Sequence, residues 1–122
     1  MKLVVIVLNK TECLEDLLEE FSHRKIQGAT IINSKGMMQE LMDYNSEDVP
    51  IIGSIRKYLN PDHKQNYTIF MAAYKEAVPD IIDAVNKVTG GIDKGDTGIL
   101  FTLTIDQLLG FKIKEGTEAP EE

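Results

Sequence analysis

The first apolar run of the chain sets the strongest constraint on its fold. Residues 3–8 read LVVIVL, which is rich in β-branched side chains and lacks the alternation of a half-exposed strand. Such a run is typical of a strand that is buried on both faces. We therefore expect it to occupy a central position in a sheet.

A helix and a second strand follow this run. Thr11 is placed to cap the helix, and Gly28 ends the unit before an apolar strand at residues 29–33. The apolar residues of the helix recur at helical spacing and form a single stripe: Leu14, Leu17, Leu18 and Phe21. Residues 1–33 therefore predict a β-α-β unit.

The second half of the chain repeats this order. Residues 67–74 and 98–104 predict strands, and between them Pro79 stands in the first turn of a helix that Gly90 and Gly91 end. The apolar stripe of this helix consists of Ile81, Ile82, Val85 and Val88. Two β-α-β units in succession predict an α+β, ferredoxin-like βαββαβ fold. This fold has a four-stranded antiparallel sheet with two helices on one face.

Length and charge limit the organisation of the chain and its partners. With 122 residues, we expect a single domain at residues 1–114 and an acidic, disordered tail at 115–122. The formal charge of −7 disfavours nucleic acid and anionic lipid as partners. No apolar run approaches the roughly 20 residues of a membrane span, and Cys13 is the only cysteine. We therefore expect a cytoplasmic protein without membrane insertion.

The connection between the second and third strands is unusually long. Residues 36–65 stand where a hairpin of a few residues would close the sheet, and loops of this length often serve a function. Residues 51–59 resemble a short amphipathic helix around Arg56, Lys57 and Tyr58. We expect these three residues to contact a protein partner.

Two helices cover only one face of such a sheet. The first, third and fourth strands nevertheless carry apolar residues at consecutive positions, so hydrophobic side chains point to both faces. Leaving the second face in water would forgo on the order of 10 kcal/mol of hydrophobic stabilisation, at about 1.5–3 kcal/mol for each large side chain that could be buried. We therefore expect an obligate homo-oligomer that packs through its sheets.

A glycine-rich segment precedes the fourth strand. Residues 89–98 read TGGIDKGDTG, and four glycines in ten residues permit positive φ angles and close approach of the backbone. Consecutive N–H groups in such a loop can bind an anion, although the segment matches neither the P-loop nor the dinucleotide pattern. Composition alone leaves two interpretations open, a plain helix-to-strand turn and an anion cradle.

The order of several short motifs resembles that of the PII-type signalling proteins, the trimeric nitrogen-regulatory sensors. The motifs are KIQGAT at residues 25–30, Lys35 and Gly36 at the start of the long loop, and Thr89, Gly90, Gly95 and Asp96 before ILF at residues 99–101. The resemblance spans about residues 1–105. It implies an effector arm, called the T-loop, in the long connection. It also implies ATP or ADP bound between subunits, and a transporter or enzyme as the target of the arm.

The resemblance also implies which residues bind the nucleotide. Thr30, Gly36 and Met37 would line the adenine end, while the glycine-rich loop would shape the phosphate end. The predicted nucleotide contacts in that loop are Gly90, Gly91, Lys94, Gly95, Asp96, Thr97 and Gly98. ATP, ADP, AMP or a cyclic nucleotide would then be a regulatory ligand, with no tightly bound cofactor and no metal.

The chain departs from the family pattern at its basic residues. The usual Gly-Asp-Gly-Lys is GDTG at residues 95–98, so Lys94 is the nearest substitute for the phosphate-binding lysine. The Arg-x-Arg expected after the fourth strand aligns with LGF at residues 109–111, where Lys112 is the nearest base. The ligand could therefore be a nucleotide with fewer phosphates or another small anion.

Two other classes of function stay open at this point. No arrangement supplies a nucleophile, an orienting base and an oxyanion site, so we expect no catalysis. The alternative is a small ferredoxin-like oligomeric enzyme or a divalent-metal-binding protein, which clustering of Cys13, Asp62 and His63 would favour. A third possibility is an interaction protein whose arm docks constitutively.

Overall fold

A computed structural model describes residues 1–43 and 65–111 of the chain. Four strands form one sheet: β1 (Lys2–Leu8), β2 (Thr30–Ser34), β3 (Asn66–Ala73) and β4 (Gly98–Thr104). The strand order is β2-β3-β1-β4, and each neighbouring pair is antiparallel. The predicted ferredoxin-like α+β fold is therefore confirmed, with the LVVIVL run in a central strand.

Within the described residues three α-helices accompany this sheet: α1 (Leu14–His23), α2 (Met37–Asp43) and α3 (Val78–Thr89). Pro79 lies in the first turn of α3, and Gly90 ends that helix in the left-handed conformation with φ 84°. Thr11 does not cap α1 as expected, because residues Thr11–Cys13 form a short 3₁₀ turn and α1 begins at Leu14. The strand boundaries of β2 and β3 each differ from the predicted ones by one residue.

The hydrophobic core lies between α1, α3 and one face of the sheet. Val4, Ile6 and Leu8 alternate along β1 and have no exposed surface. They pack with Ile69, Met71 and Ala73 of β3, with Leu17 and Phe21 of α1, and with Ile81, Ala84 and Val85 of α3. This alternation defines a face that the two helices cover.

The opposite face of the sheet is apolar, and several of its large side chains are exposed. Directly opposed residues of antiparallel strands share a face, so the register places Val7 beside Ile99, Val5 beside Phe101 and Leu3 beside Leu103. The side chains of Ile99, Phe101 and Leu103 are exposed by 58%, 43% and 51% in the part of the chain that the structure describes. We call this surface, together with Phe70 and the 48% exposed Ile32, the open face. The predicted second apolar side is therefore present.

Helix α2 is the main difference from the predicted fold. It occupies the first residues of the connection between β2 and β3, which we expected to form a loop from Gly36 onward. Met, Gln, Glu and Leu all favour helix, and the Glu40 N–H donates to the Gly36 carbonyl at 3.0 Å. No residue of α2 belongs to the core cluster. The predicted helix at residues 51–59 and the acidic tail lie outside the described residues.

A network of charged side chains joins α1 to α3 on the outer surface. Arg24 donates to the Glu20 carboxylate at 2.7 Å and to Asp80 and Asp83 at 2.8 and 2.9 Å. Lys87 reaches Glu20 from α3 at 3.2 Å. The hydrogen bond from Arg24 and, to a lesser extent, the one from Lys87 lower the pKa of the Glu20 carboxyl. The hydrogen bonds that Arg24 donates, first of all to Glu20, raise the pKa of its guanidinium. The network therefore stabilises the packing of the two helices most when Glu20 is ionised.

Gly98 allows the edge strand to lie against β1. It adopts φ 150°, and a Cβ atom at this position would collide with the backbone carbonyl of Val7. We expect Gly98→Ala to destabilise the protein by roughly 3 kcal/mol, since strain and a backbone collision combine. Gly95→Ala is the matched control, because its Cβ would meet nothing within 4 Å. Urea unfolding measures both, and equal stabilities would contradict this account of the strand contact.

The Glu20 network predicts an acid-dependent stability. The pKa of Glu20 is lower in the folded protein than in the unfolded chain. The ion pairs of Glu20 therefore stabilise the fold fully above the unfolded glutamate pKa of about 4.3, and this stabilisation is lost as the pH falls through the lower folded pKa. Glu20→Gln should therefore unfold at a lower temperature than wild type at neutral pH, and the difference should shrink in acid. Glu19→Gln, at an exposed position of the same helix, is the control. Thermal unfolding across the pH range tests this, and a difference that grows in acid would exclude it.

Candidate functional site

A pocket lies at the end of the sheet where β1 and β2 finish and β3 and β4 begin. Its volume is about 220 Å³. The chain segments that form it are the residue after β1, the start of α2, the start of β3 and the glycine-rich loop. The lining residues are Asn9, Gly36, Met37, Met38, Gln39, Gln65, Asn66 and Asp96. The antiparallel order of the sheet brings these four distant segments together.

A chain of hydrogen bonds joins two lining residues of this pocket, Asn9 and Asn66, to Ser34 and Thr68. Ser34 Oγ donates to the Asn66 Oδ1 in a short bond and lies 2.8 Å from Thr68 Oγ1. Since the single Ser34 proton serves Asn66, the Thr68 hydroxyl donates to Ser34. Asn66 Nδ2 then donates to Asn9 Oδ1 at 3.2 Å. Asn66 is 8% exposed, so these bonds satisfy an amide that is almost removed from water.

The glycine-rich loop is tied to the end of β1 through Thr97. The backbone carbonyl of this buried residue accepts the N–H groups of Asn9 at 2.8 Å and Lys10 at 3.1 Å. Next to it, Asp96 adopts a left-handed backbone conformation with φ 54°. Thr97 therefore positions Asn9 and Asp96 on neighbouring segments, and both residues line the pocket.

Most hydrogen bonds of the glycine-rich loop are internal. The N–H groups of Gly91 and Ile92 donate to the side chains of Thr89 and Asn86 at 3.2 and 2.9 Å. The N–H groups of Gly90, Lys94 and Thr97 donate to backbone carbonyls of α3 and of the loop itself. These five N–H groups are consequently engaged within the chain. This bonding is that of a tight helix-to-strand turn, one of the two interpretations that the composition left open.

The structure brings together three of the residues singled out from the sequence. Gly36, Met37 and Asp96 all line the pocket. Thr30 lies at the opposite end of β2, roughly 13 Å from Ser34 at about 3.3 Å per residue. The other glycine-loop residues predicted to bind nucleotide are Gly90, Gly91, Lys94, Gly95, Thr97 and Gly98, and none of them is among the lining residues. Arg56, Lys57 and Tyr58 lie outside the described residues.

Sequence reasoning missed the amide residues of the pocket. Asn9 directly follows the buried β1 strand, and Asn66 begins β3. A polar residue at the end of an apolar strand is a signal that could have identified Asn9. Gln39, Gln65 and Asn66 belong to segments whose meeting depends on the strand order, so no local pattern distinguishes them.

Cys13 lies apart from this pocket. Its thiol is buried and faces the carbonyl oxygen of Val88 at 3.8 Å. Desolvation by burial is the main cause that raises the pKa of this thiol, so it is a poor nucleophile at neutral pH. Within residues 1–43 and 65–111, no group of three His, Cys, Asp or Glu residues could hold a metal ion. Asp62 and His63, the other members of the predicted cluster, lie outside these ranges.

None of the helices in the described ranges is long and apolar enough to span a membrane.

Comparison with known proteins identifies a similar fold and no family. The crystal structure of a functionally unknown protein from Pediococcus pentosaceus ATCC 25745 matches with a TM-score of 0.59 and 15% sequence identity. The match covers 90% of this chain and 96% of that chain. At this identity the likeness concerns the fold alone. No protein-family model matches the sequence, and no curated protein matches it.

Proposed function

We propose that the protein is a PII-like regulatory module that binds an adenine nucleotide or a similar small metabolite and signals to a protein partner. The observation that carries this proposal is the position of the pocket. Gly36 and Met37 begin the connection between β2 and β3, Gln65 ends it, and all three line the pocket. A ligand there would contact both ends of the connection that we expect to act as the effector arm.

This arrangement supports a population shift as the mechanism of signalling. A ligand changes the equilibrium between two arm conformations only when it binds one of them more tightly. Because the lining includes residues on either side of the connection, any rearrangement of the arm that moves Met37 or Gln65 changes the ligand contacts. By reciprocity, a partner that binds one arm conformation would alter the affinity for the ligand by the same factor.

A homo-oligomer is the second part of the proposal. Large apolar side chains expose roughly 200 Å² each when fully accessible, so Ile32, Ile99, Phe101 and Leu103 leave roughly 400 Å² of the open face in water. A patch of this size falls within the roughly 300–600 Å² of the largest apolar patch on a typical monomer, and such patches often mark an interaction site. Self-association through the open face would cover this surface, and the resemblance to PII proteins suggests three copies.

The size of the pocket fits a site that is completed by assembly. Its volume of about 220 Å³ is smaller than the roughly 300–1,000 Å³ of typical ligand sites. One subunit therefore offers room for part of a nucleotide. In an oligomer, the remainder of the ligand would contact the neighbouring subunit.

A substitution at Gly36 tests the ligand site. A Cβ atom at Gly36 would meet only the Asn66 Nδ2 atom at 3.8 Å, so the fold should tolerate Gly36→Leu while the longer side chain fills the pocket. We expect ATP, ADP, AMP or cyclic AMP to raise the melting temperature of wild type and to leave that of Gly36→Leu unchanged. Calorimetric titration should show at least a tenfold loss of affinity.

Ser22→Leu, at an exposed position of α1, is the control and should respond to ligand as wild type does. If no adenine nucleotide stabilises wild type, or if Gly36→Leu is stabilised equally, the pocket is not a nucleotide site.

A charge on the open face tests the assembly. Phe101→Lys places an ammonium group in the proposed interface, where burial would be costly, and should yield a monomer close to 13.7 kDa. Thr102→Lys is the matched control, since Thr102 is exposed on the same strand and faces the other way. Size-exclusion chromatography with light scattering distinguishes the states. A wild-type monomer at micromolar concentration would refute the proposed interface.

A further inference from the structure

We infer that the seven residues after β4 belong to the contact between copies of the chain, and that Leu109 docks on the open face of the neighbouring copy. We call these residues, 105–111, the β4 extension. The inference rests on the assembly part of the proposed function, since it names further residues that the neighbouring subunit covers. It does not depend on the ligand.

The β4 extension crosses the end of the sheet that lies opposite the pocket. At its start, the Ile105 N–H donates to the Met1 carbonyl at 3.1 Å, which continues the pairing of β4 with β1. At its end, the ring of Phe111 packs edge-on against that of Tyr74, with ring centroids 5.7 Å apart. Tyr74 directly follows β3, and β1 lies between β3 and β4. The extension therefore reaches from the edge strand across β1 to β3.

The aromatic pair at the end of the extension borders the open face. Leu3 pairs with Leu103 on one side and with Ala72 on the other, so these three residues form the last cross-strand row of that face. Alternate residues of a strand point to the same face, and Tyr74 follows Ala72 by two positions in an extended backbone conformation. Tyr74 therefore continues the open face, and Phe111 adds to its rim.

The β4 extension is apolar and exposed. It carries no charged side chain after Asp106. Leu108, Leu109 and Phe111 are exposed by 37%, 84% and 40% within the described residues, and none of them belongs to the core cluster. Leu109 is the most exposed large apolar side chain in this part of the chain. Such a side chain stabilises the protein only when another surface covers it.

The area of the open face by itself is small for a stable contact. Its four exposed side chains present roughly 400 Å², whereas each partner of a stable complex contributes roughly 800 Å². The three exposed side chains of the β4 extension add roughly 300 Å², at about 200 Å² for a fully accessible side chain. Together, the two neighbouring surfaces approach the area that a stable contact needs.

A second copy of the chain offers a matching surface. Its open face consists of aliphatic and aromatic side chains such as Phe101. The acidic tail at residues 112–122 contains one large apolar residue, Ile113, and so offers little cover of its own. Docking of Leu109 on the neighbour's open face would remove both apolar surfaces from water in a single contact.

The reactivity of a thiol at position 109 tests this contact directly. Cys13 is the only natural cysteine and its thiol is buried, so a fast reaction of Leu109→Cys can be assigned to the new thiol. We expect a maleimide to react with assembled Leu109→Cys about tenfold more slowly than with the same variant combined with Phe101→Lys, which should be monomeric. Ser22→Cys, at an exposed position of α1, is the control and should react equally fast in both backgrounds.

A charge at position 109 tests the contribution of this side chain to assembly. Burial of an ammonium group is costly, so Leu109→Lys should raise the concentration at which half of the chains are assembled by about tenfold or more. Ser22→Lys adds the same charge on α1 and should assemble as wild type does. Light scattering over a dilution series measures both. Because Leu109 is exposed in the subunit, circular dichroism should show the wild-type fold in Leu109→Lys.

The outcomes separate this inference from the proposed function. Fast labelling of assembled Leu109→Cys, or unchanged assembly of Leu109→Lys, overturns the inference and leaves the open-face oligomer standing. Slow labelling that persists in the monomeric Phe101→Lys background also overturns it, since the chain's own residues would then cover Leu109. A monomeric wild type refutes the assembly part of the proposed function itself. The nucleotide titrations stay independent, because the β4 extension and the pocket lie at opposite ends of the sheet.

Discussion

The burial of one face of β1 beneath α1 and α3 is the contact on which the rest of the molecule depends. Val4, Ile6 and Leu8 are completely removed from solvent, and β1 pairs along its whole length with β3 and with β4. Hydrophobic burial of this kind is the dominant favourable term in folding. Two consequences follow from the position of this strand. Its other face is apolar, and no helix within residues 1–43 and 65–111 packs on it. The residue after its last position, Asn9, lines the pocket.

The pocket is a product of strand order more than of any local motif. Antiparallel pairing brings the end of β1, the end of β2 and the starts of β3 and β4 to the same end of the sheet. The Thr97 carbonyl then ties the glycine-rich loop to the two residues after β1, and the hydrogen bonds from Thr68 to Asn9 connect β3 and β2 to the first of those residues. Because Asn9 and Asn66 are bonded to each other and to β2, this part of the lining is ordered without a ligand.

The sequence predicts best the strands and helices that hydrophobic periodicity defines. It predicts least well which residues meet where several segments of the chain come together. The interval from Gly98 to Thr104 was predicted as a strand with the observed boundaries, since its apolar and β-branched residues follow a glycine turn. Helix α2 was missed because Gly36 and the length of the connection suggested a loop. In the candidate site, Gly36, Met37 and Asp96 were anticipated through the family resemblance. The amides of Asn9 and Asn66 were not, since asparagine in a turn or at a strand end has no distinctive pattern.

The sequence by itself determined the kinds and order of the four strands and of helices α1 and α3, the central position of β1 and the presence of a second apolar side on the sheet. These properties depend on hydrophobic periodicity, which is local and therefore readable along the chain. Only the tertiary structure decided which polar groups meet at the end of the sheet, and that five N–H groups of the glycine-rich loop bond within the chain. Those outcomes depend on contacts between residues far apart in sequence and on competition among hydrogen-bond partners, which no single segment encodes.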